Sequence, residues 1–303
     1  MATPPPGGYK GRVLARIVDK QVGPFRVQGF SLAGEETVIA LPELNVCFDA
    51  GKAPQEIIAL DYLLLSHGHM DHAAGIAYYF SQRNFLGLPA GTALAPEPLV
   101  RPIRQLMRVW ADIEGHPSPH RVVAARPGED VEIRKGLLVR PFAVHHGSPS
   151  CGYAIVEVRH KLRSEYAGLS SAQIVELKRQ NVAITRRVEV PLAACCGDTA
   201  PGTFLDLDCV RNASLLLLEC TFFEPDHVRR AKVGYHIHVN DLPAIVEKLN
   251  CEHIVLTHVS RRTGLRRARK AIEALLPRDQ CERISFLMQQ PRPGRPSGDE
   301  PSR

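Results

Sequence analysis

The sequence predicts an α/β protein, and two observations carry this prediction. Short apolar runs alternate with stretches of helical periodicity, which is the pattern of layered α/β domains. Several of those runs are too continuously apolar for a sheet with one exposed face, as expected for strands that are buried on both faces. Apolar residues make up 44% of the 303 residues and charged residues 23%, so the chain is able to bury a sizeable core.

Six apolar runs are predicted to be strands, and they lie at 60–66, 137–145, 153–158, 192–196, 215–219 and 253–257. Two helices are clearest, at 241–249 and 265–276, because their apolar residues recur on one face. Asn240 is predicted to be the N-cap of the first helix, with Pro243 in its opening turn.

The folded body is predicted to span residues 10–288 as one domain. The tails at 1–9 and 289–303 are polar and rich in proline and glycine, so they hold too few apolar groups to offset the entropy of ordering and are predicted to be disordered. Within the body, residues 159–191 are basic and polar, which indicates an insertion between two core strands.

Charge and cysteine content narrow the class of protein. The formal net charge of +6 favours a polyanionic partner, although it is also compatible with an enzyme that never binds nucleic acid. The eight cysteines form no C-x-x-C pair and most lie in apolar runs, which predicts reduced core thiols in a cytoplasmic protein. No apolar run reaches 18 residues and the N-terminus lacks a signal-peptide pattern, so we predict neither a membrane span nor secretion.

The strongest functional signal is the run S-H-G-H-M-D-H at 66–72, which begins where a predicted strand ends. Its four ligand-type side chains, His67, His69, Asp71 and His72, cannot share one face of a helix or strand, so the backbone must turn and direct them around one point. Zinc takes three or four protein ligands, so further donors downstream indicate a second metal ion. The alternative is a low-complexity histidine tract, but such tracts do not follow a buried strand.

Three further donors follow the ends of apolar runs: His146, Asp198 and His258. In α/β proteins, functional sites gather where strands end. Each donor also has a structural alternative, namely a hydrogen-bonded histidine at 145 or 146, a turn aspartate at 198 and a cap at 258. Taken with the run at 66–72, the three residues predict a site for two metal ions.

This pattern of H-x-H-x-D-H followed by isolated His, Asp and His resembles the metallo-β-lactamase superfamily. Residues 25–289 are further similar to ribonuclease Z, the tRNA 3′-processing endonuclease, in its short, plant-like form. The motifs that carry the resemblance are F-D-A-G at 48–51, the run at 66–72, G-Y at 152–153, G-D-T at 197–199, L-E-C-T at 218–221, His236 in place of H-S-T, L-T-H-V-S-R-R at 256–262 and K-L-R-S-E-Y-A-G-L at 161–169.

The resemblance implies an αββα four-layer sandwich, in which two packed β-sheets are flanked by helices. It also implies two Zn²⁺ ions per subunit, with Mn²⁺ or another divalent cation as the alternative. The implied ligands are His67, His69 and His146 for the first ion, and Asp71, His72 and His258 for the second, with Asp198 between the two.

The activity that the resemblance implies is zinc-dependent hydrolysis of a phosphodiester at the 3′ end of precursor tRNA, which removes the 3′ trailer. The implied catalytic residues are Asp71, Glu219 and His236. Glu219 and His236 would form a carboxylate–histidine pair that protonates the leaving ribose oxygen, and His238 is the alternative donor if the loop is shifted. A homodimer is also implied, because in this family the arm of one subunit usually serves the active site of the other.

The candidate substrate-binding residues are basic or hydroxyl side chains that could contact phosphates. They are Lys161, Arg163, Lys178, Arg179, Ser260 and Arg262. Residues 159–191 are short and lack the Gly-Pro motif of many family arms, so a solvated basic helix is the alternative for this segment. The chain also lacks a P-x-K-x-R-N loop and has Thr263 where many members have Tyr, which leaves substrate discrimination open.

Two other functions remain open from the sequence. One is a metallo-β-lactamase-fold phosphodiesterase that acts on a small or non-tRNA substrate. The other is a metal-bearing interaction domain without activity, although such a domain normally loses ligands and none is missing here.

Overall fold

The structure is a computed structural model that describes residues 17–289. The predicted tails at 1–9 and 289–303 therefore lie outside the described residues, apart from Gln289. The described residues form two seven-stranded mixed sheets with helices on their outer faces, which confirms the predicted αββα sandwich.

The first sheet is built from strands that neighbour one another in chain order. They are β1 Val18–Val22, β2 Phe25–Leu32, β3 Glu36–Leu41, β4 Val46–Phe48, β5 Tyr62–Leu64, β6 Gly91–Pro96 and β7 His120–Ala125. Strands β1 to β4 pair antiparallel, whereas β4 to β7 pair parallel, so β7 is an edge strand.

The second sheet repeats this plan. Its strands are β8 Val131–Arg134, β9 Leu137–Ala143, β10 Cys151–Leu162, β11 Thr185–Cys195, β12 Leu215–Glu219, β13 His253–Thr257 and β14 Ile284–Phe286. Strands β8 to β11 pair antiparallel and β11 to β14 pair parallel. Each sheet thus has a parallel half, and the loops after those parallel strands come together at one edge of the sandwich.

Ten α-helices connect or cover the strands in the described part of the chain. They are α1 Gln55–Ile58, α2 Met70–Ala73, α3 Ile76–Phe85, α4 Glu97–Glu114, α5 Ser171–Arg179, α6 Asp208–Arg211, α7 Val228–Gly234, α8 Leu242–Glu247, α9 Leu265–Leu275 and α10 Arg278–Glu282. Five short 3₁₀ helices lie at Pro42–Leu44, Ser164–Tyr166, Thr203–Asp206, Pro225–His227 and Val239–Asp241. None of these helices within residues 17–289 has the length and apolar character that crossing a bilayer requires.

The core consists of three apolar layers. Residues of both sheets pack between the sheets, α1, α3 and α4 cover the first sheet, and α6, α8 and α9 cover the second. Strand β12 shows how its four consecutive leucines are used: Leu215 and Leu217 face the other sheet, whereas Leu216 and Leu218 face the helices. Burial on both faces is the reason why this strand has four consecutive apolar residues before Glu219.

Most predicted elements are present, with shifted ends. The strands at 215–219 and 253–257 have the predicted bounds, whereas the prediction at 60–66 shortens to β5. The helix predicted at 241–249 is α8, and Pro243 lies in its first turn as predicted. The N-cap prediction is wrong: Asp241 occupies the N-cap position of α8, without a capping hydrogen bond from its side chain. Asn240 belongs to the preceding 3₁₀ helix, where its N–H donates to the side chain of His238.

The insertion predicted at 159–191 is an arm. Strands β10 and β11 continue beyond the buried part of the sheet as a two-stranded ribbon, paired as far as Leu162 and Thr185. Helix α5 lies at the tip of the arm and buries none of its residues, so its charges face water. All eight cysteines carry free thiols and seven of them are buried, as predicted.

Candidate metal centre

The seven predicted metal ligands lie together at one edge of the sandwich. The loop after β5 supplies His67, His69, Asp71 and His72 from the first sheet, and the segments after β9, β11 and β13 supply the other three from the second. His69 has an extended backbone and is the N-cap residue of α2, which contains Asp71 and His72. This change from extended to helical backbone directs the four side chains of the loop around one point.

The ligand atoms form two groups that share a centre. In the first group, Nδ1 of His69 lies 3.0 Å from Nε2 of His67 and 3.4 Å from Nε2 of His146. In the second, Oδ2 of Asp71 lies 3.7 Å from Nε2 of His72 and 3.5 Å from Nε2 of His258. These are the two triads that the family resemblance implies, and their role as ligands stays a prediction.

Asp198 lies between the two triads. Its Oδ2 atom is 3.7 Å from Nε2 of His67, 3.4 Å from Nε2 of His72 and 3.3 Å from Nε2 of His258. Burial opposes ionisation of this carboxyl, but the surrounding histidines outweigh burial and hold the pKa of Asp198 well below its usual range. An ionised carboxylate at this position faces members of both triads, as a bridging ligand would.

The donor set fits divalent cations. It consists of imidazole nitrogens and carboxylate oxygens, which are the ligands that zinc takes at hydrolytic sites. Burial lowers the pKa of His67 to about 2, so its imidazole is neutral and able to ligate. Nε2 of His72 is buried and makes no hydrogen bond within residues 17–289, although buried polar atoms are rarely left without a partner. A cation at this point would satisfy it.

A second layer of residues holds the ligands in place. Asp49, which follows β4 and is 1% exposed, accepts hydrogen bonds from the Ser66 N–H (2.7 Å), the Ser66 hydroxyl (2.9 Å) and Nδ1 of His72 (2.7 Å). A histidine that donates from Nδ1 keeps its Nε2 lone pair free for a metal. The sequence shows F-D-A-G at 48–51, but we predicted no role for Asp49. The feature of the sequence that could have indicated a role is the position of this carboxylate directly after a buried strand.

Glu219 and His236 form the predicted carboxylate–histidine pair. Oε1 of Glu219 accepts a hydrogen bond from Nδ1 of His236 at 2.7 Å and another from the Thr199 N–H at 3.1 Å. Oε2 accepts from the Thr221 hydroxyl at 2.7 Å. Burial lowers the pKa of His236, but the charge and hydrogen bond of Glu219 outweigh it and raise that pKa to about 9. The ring of His236 stacks on that of His258, with centroids 5.2 Å apart, so the pair lies beside the donor cluster.

His238, the alternative proton donor, lies elsewhere. Its Nε2 is 2.9 Å from the Glu224 carbonyl oxygen and its Nδ1 accepts from the Asn240 N–H, so the backbone occupies both ring nitrogens. Thr221 was not predicted, yet its hydroxyl lies 3.0 Å from Nδ1 of His258 while it donates to Glu219. It links the carboxylate of the pair to a ligand of the second triad.

The predicted substrate-binding residues separate into two places. Ser260 and Arg262 follow the proposed ligand His258 in the chain; the Ser260 N–H donates to the Thr221 carbonyl at 3.0 Å, and Arg262 is exposed. The basic residues of the arm are exposed as well, but they lie near the far end of the β10–β11 ribbon: Lys161, Arg163, Lys178 and Arg179. The structure does not bring these four to the donor cluster of their own chain.

The fold and the donor cluster define a class of protein. The model of the Beta-lactamase superfamily domain matches residues 40–259, and the crystal structure of the metallo-beta-lactamase fold protein YhfI from Bacillus subtilis superposes with a TM-score of 0.57. That superposition covers 84% of this chain and 92% of YhfI at 14% identity, so it speaks for the fold alone. This family implies binding of a divalent metal, and the cluster of histidines and aspartates is a group of side chains that could hold one.

Within this superfamily the chain belongs to the tRNase Z family. It is 32% identical over 261 residues to tRNase Z TRZ1 of Arabidopsis thaliana, a match that covers 85% of this chain and 93% of that protein. The crystal structure of human tRNase Z, short form (ELAC1), has the same fold, with a TM-score of 0.53 at 16% identity over 81% of this chain and 91% of the human chain.

Proposed function

We propose that this protein is a metal-dependent endoribonuclease that hydrolyses precursor tRNA at its 3′ end and removes the 3′ trailer. The observation that carries the proposal is the hydrogen-bonded pair of Glu219 and His236 beside the donor cluster. A metal site alone would serve many hydrolases, whereas this pair adds a proton donor for a ribose leaving group. The relative TRZ1 is named a tRNase Z, which supports precursor tRNA as the substrate.

We further propose that each subunit binds two divalent cations, with zinc as the first candidate. His67, His69 and His146 would hold one, Asp71, His72 and His258 the other, and Asp198 would contact both. When bound, such cations supply Lewis acidity, which lowers the pKa of water towards ~7 and stabilises negative charge on a phosphodiester.

The remaining steps belong to side chains. Glu219 is fully buried and held by four hydrogen bonds besides the one to His236, so it fixes the orientation of that ring and favours its protonated form. His236 is partly exposed towards the cluster and can donate its Nε2 proton to the departing 3′ oxygen. Asp71, also predicted to be catalytic, is fixed by the Gly34 N–H, which donates to its Oδ2 at 2.9 Å.

The arm supports the proposal of a homodimer. Strand β10 starts beside the metal loop, where the Cys151 N–H donates to the Ser66 carbonyl, and it runs to Leu162. A strand of this length spans about 35 Å, so the basic residues near its end lie far from their own donor cluster. They could act on RNA at the cluster of a second subunit. The eight free thiols support a cytoplasmic location.

An exposed apolar face supports the same proposal. Seven large apolar side chains lie unburied on the neighbouring helices α3 and α4 or directly after α3: Tyr78, Phe85, Leu86, Leu106, Val109, Trp110 and Ile113. The two helices are joined by a hydrogen bond from the Ser81 hydroxyl to Glu114 at 2.7 Å. Contiguous exposed apolar surface on a soluble protein commonly marks an interface. Sedimentation of the purified protein tests it, and a monomer at micromolar concentration would contradict it.

Cleavage of a precursor tRNA with a 3′ trailer, combined with metal analysis of the same sample, tests the function. We expect a cut near the discriminator base with zinc or manganese, and no cut with His69→Ala. Hydrolysis of bis-p-nitrophenyl phosphate without any cut in tRNA would favour the small-substrate phosphodiesterase instead. RNA binding with no turnover after metal reconstitution would favour an interaction domain.

A further inference from the structure

The outer flank of the first sheet carries a basic cleft that the metal centre does not use. It is an open cleft of about 970 Å³ between α4 and the edge strand β7, and we call it the α4–β7 cleft. The charged residues that line it are Arg101, Arg104, Arg108, Arg126 and Glu97. The lining therefore holds four guanidinium groups and one carboxylate. Such an excess of positive charge favours a polyanion.

Two of the four arginines have structural partners. Arg126 forms ion pairs with Glu97 (2.6 Å) and Glu129 (3.3 Å). Arg104 donates to the Val122 carbonyl at 2.8 Å and so satisfies a main-chain acceptor on the unpaired edge of β7. Arg101 and Arg108 are exposed and have no ion pair or hydrogen bond within residues 17–289. Their charge is therefore available to a ligand.

The cleft leads away from the metal centre. Helix α4 starts directly after β6, at the edge where the parallel strands end, and a Cβ placed on Gly68 of the metal loop would lie 3.5 Å from the side chain of Leu99. Two residues further on, Arg101 begins the row, and Arg108 follows about 10 Å along the helix. The exposed apolar residues of α4, among them Trp110, lie on the opposite flank of the helix.

We propose that the α4–β7 cleft binds backbone phosphates of the single-stranded 3′ trailer where it leaves the metal centre. The inference rests on the proposed function. Proteins that hold single strands without sequence preference use a positively charged groove that follows the backbone, and the exposed arginines of the cleft would supply that charge. Guanidinium groups bind phosphates without reading the bases, so the cleft accepts trailers of any sequence.

The test compares two precursor tRNAs with the same body, one with a single trailer nucleotide and one with a trailer of about a dozen nucleotides. In the variant Arg101→Glu/Arg108→Glu, we expect KM for the long trailer to rise about tenfold, with KM for the short trailer unchanged. Two lost phosphate contacts should also lower the slope of log KM against log salt by about 1.4 for the long substrate. The charge-conserving variant Arg101→Lys/Arg108→Lys should retain most of that slope.

A matched control comes from α9, where Arg266 and Lys270 are exposed one turn apart. The double charge reversal Arg266→Glu/Lys270→Glu should leave KM unchanged for both substrates. If it raised KM for the long trailer as much as the cleft variant does, the proposal would be overturned, because the overall charge of the protein would then explain the effect. An equal loss on both substrates in the cleft variant would also overturn it, since the cleft would then contact the tRNA body. The proposal would also be overturned if the cleft variant had an unchanged KM and an unchanged salt slope for the long trailer.

Binding of a labelled single-stranded RNA keeps this inference separate from the proposed function. If the wild-type protein cut no precursor tRNA, the proposed function would fail. The cleft would still be supported if that RNA bound the wild type at least tenfold more tightly than Arg101→Glu/Arg108→Glu. Equal binding to both proteins would overturn the cleft even if cleavage occurs. Tighter binding of an acidic peptide than of RNA would overturn it in favour of a protein partner.

Discussion

Asp49→Asn is predicted to weaken metal binding and lower stability, although Asp49 is not one of the proposed ligands. Its carboxylate accepts hydrogen bonds from the main chain and hydroxyl of Ser66 and from Nδ1 of His72, all between 2.7 and 2.9 Å. Asparagine has the same shape, but one of its two terminal atoms is a donor. Oδ1 of Asp49 accepts from the Ser66 N–H, whereas Oδ2 accepts from the Ser66 hydroxyl and from His72, so the single oxygen of asparagine cannot serve both the Ser66 N–H and His72.

The expected magnitude follows from these contacts. A buried donor left without an acceptor costs about 1–3 kcal/mol, so the free energy of unfolding should fall by that amount in the protein without metal. Loss of the partner that orients a ligating histidine weakens metal binding by about 10–100-fold. Asp49 has a φ of 59°, in the left-handed region where asparagine is also tolerated, so the substitution adds little backbone strain.

Two measurements check this prediction: competition with a chelator of known affinity for the metal, and urea unfolding of the metal-free protein. Asp49→Ala is a useful comparison, because it removes both acceptors and also places alanine at a positive φ, so it should be the less stable variant. Metal affinity within twofold of the wild type, together with unchanged unfolding, would refute the view that Asp49 orients His72.

Four further predictions concern single residues. Asp198→Ala should abolish cleavage and lower the amount of bound metal measured by mass spectrometry. His236→Ala should slow cleavage about 10²–10⁴-fold but retain the metal. Equal metal loss in both variants would contradict the role of His236 as proton donor. Gly197→Ala should lower the free energy of unfolding by about 1–3 kcal/mol, because Gly197 has a φ of 59° and an added Cβ would lie 2.6 Å from Cβ of Ser66; an unchanged urea midpoint would contradict this. Burial lowers the pKa of Lys20 from 10.5 to about 8, so the folded protein loses that proton first and stability should rise between these pH values. Lys20→Met should remove this rise, and an unchanged pH profile of urea unfolding would argue against it.

The strands buried on both faces were the easiest to predict. Strands β12 and β13 each contain a continuous apolar run with polar residues at or beside its ends, so their bounds follow from composition. Strand β5 ends before its apolar run does. The Ser66 N–H donates to the side chain of Asp49 instead of to a neighbouring strand, so the chain leaves the sheet there. A strand end that depends on a distant side chain cannot be found from local pattern.

The N-cap of α8 was missed for a related reason. Asn240 is a good capping residue by type, but the chain forms a 3₁₀ turn first, in which the Asn240 N–H donates to His238 and the side chain of Asp241 accepts from the His238 N–H. Local preference for a cap was outweighed by contacts of the turn before it. The predicted N-cap is wrong by one residue, and this shift changes which side chain lies at the start of the helix.

The proposed metal ligands could be predicted because four of them lie within six residues and the others follow apolar strands. The residues that orient them were not found, because their partners are distant in sequence. Asp49 and His72 are 23 positions apart and meet only because β4 and β5 pair in parallel, with Phe48 beside Leu64. Spacing along the chain shows which residues could bind a cation, whereas sheet register decides which residues hold them.

The position of the donor cluster ties metal binding to the packing of the two sheets. His67, His69, Asp71 and His72 belong to the first sheet, and the other three proposed ligands belong to the second. Polar contacts also link the sheets at this edge, among them the hydrogen bond from the Tyr153 hydroxyl to the Leu65 carbonyl at 2.7 Å. Cations held by both sets of ligands would clamp the sheets together, so their binding free energy would also stabilise the fold. The same arrangement explains why the ligands converge only in the folded chain, since no single sheet carries a complete set.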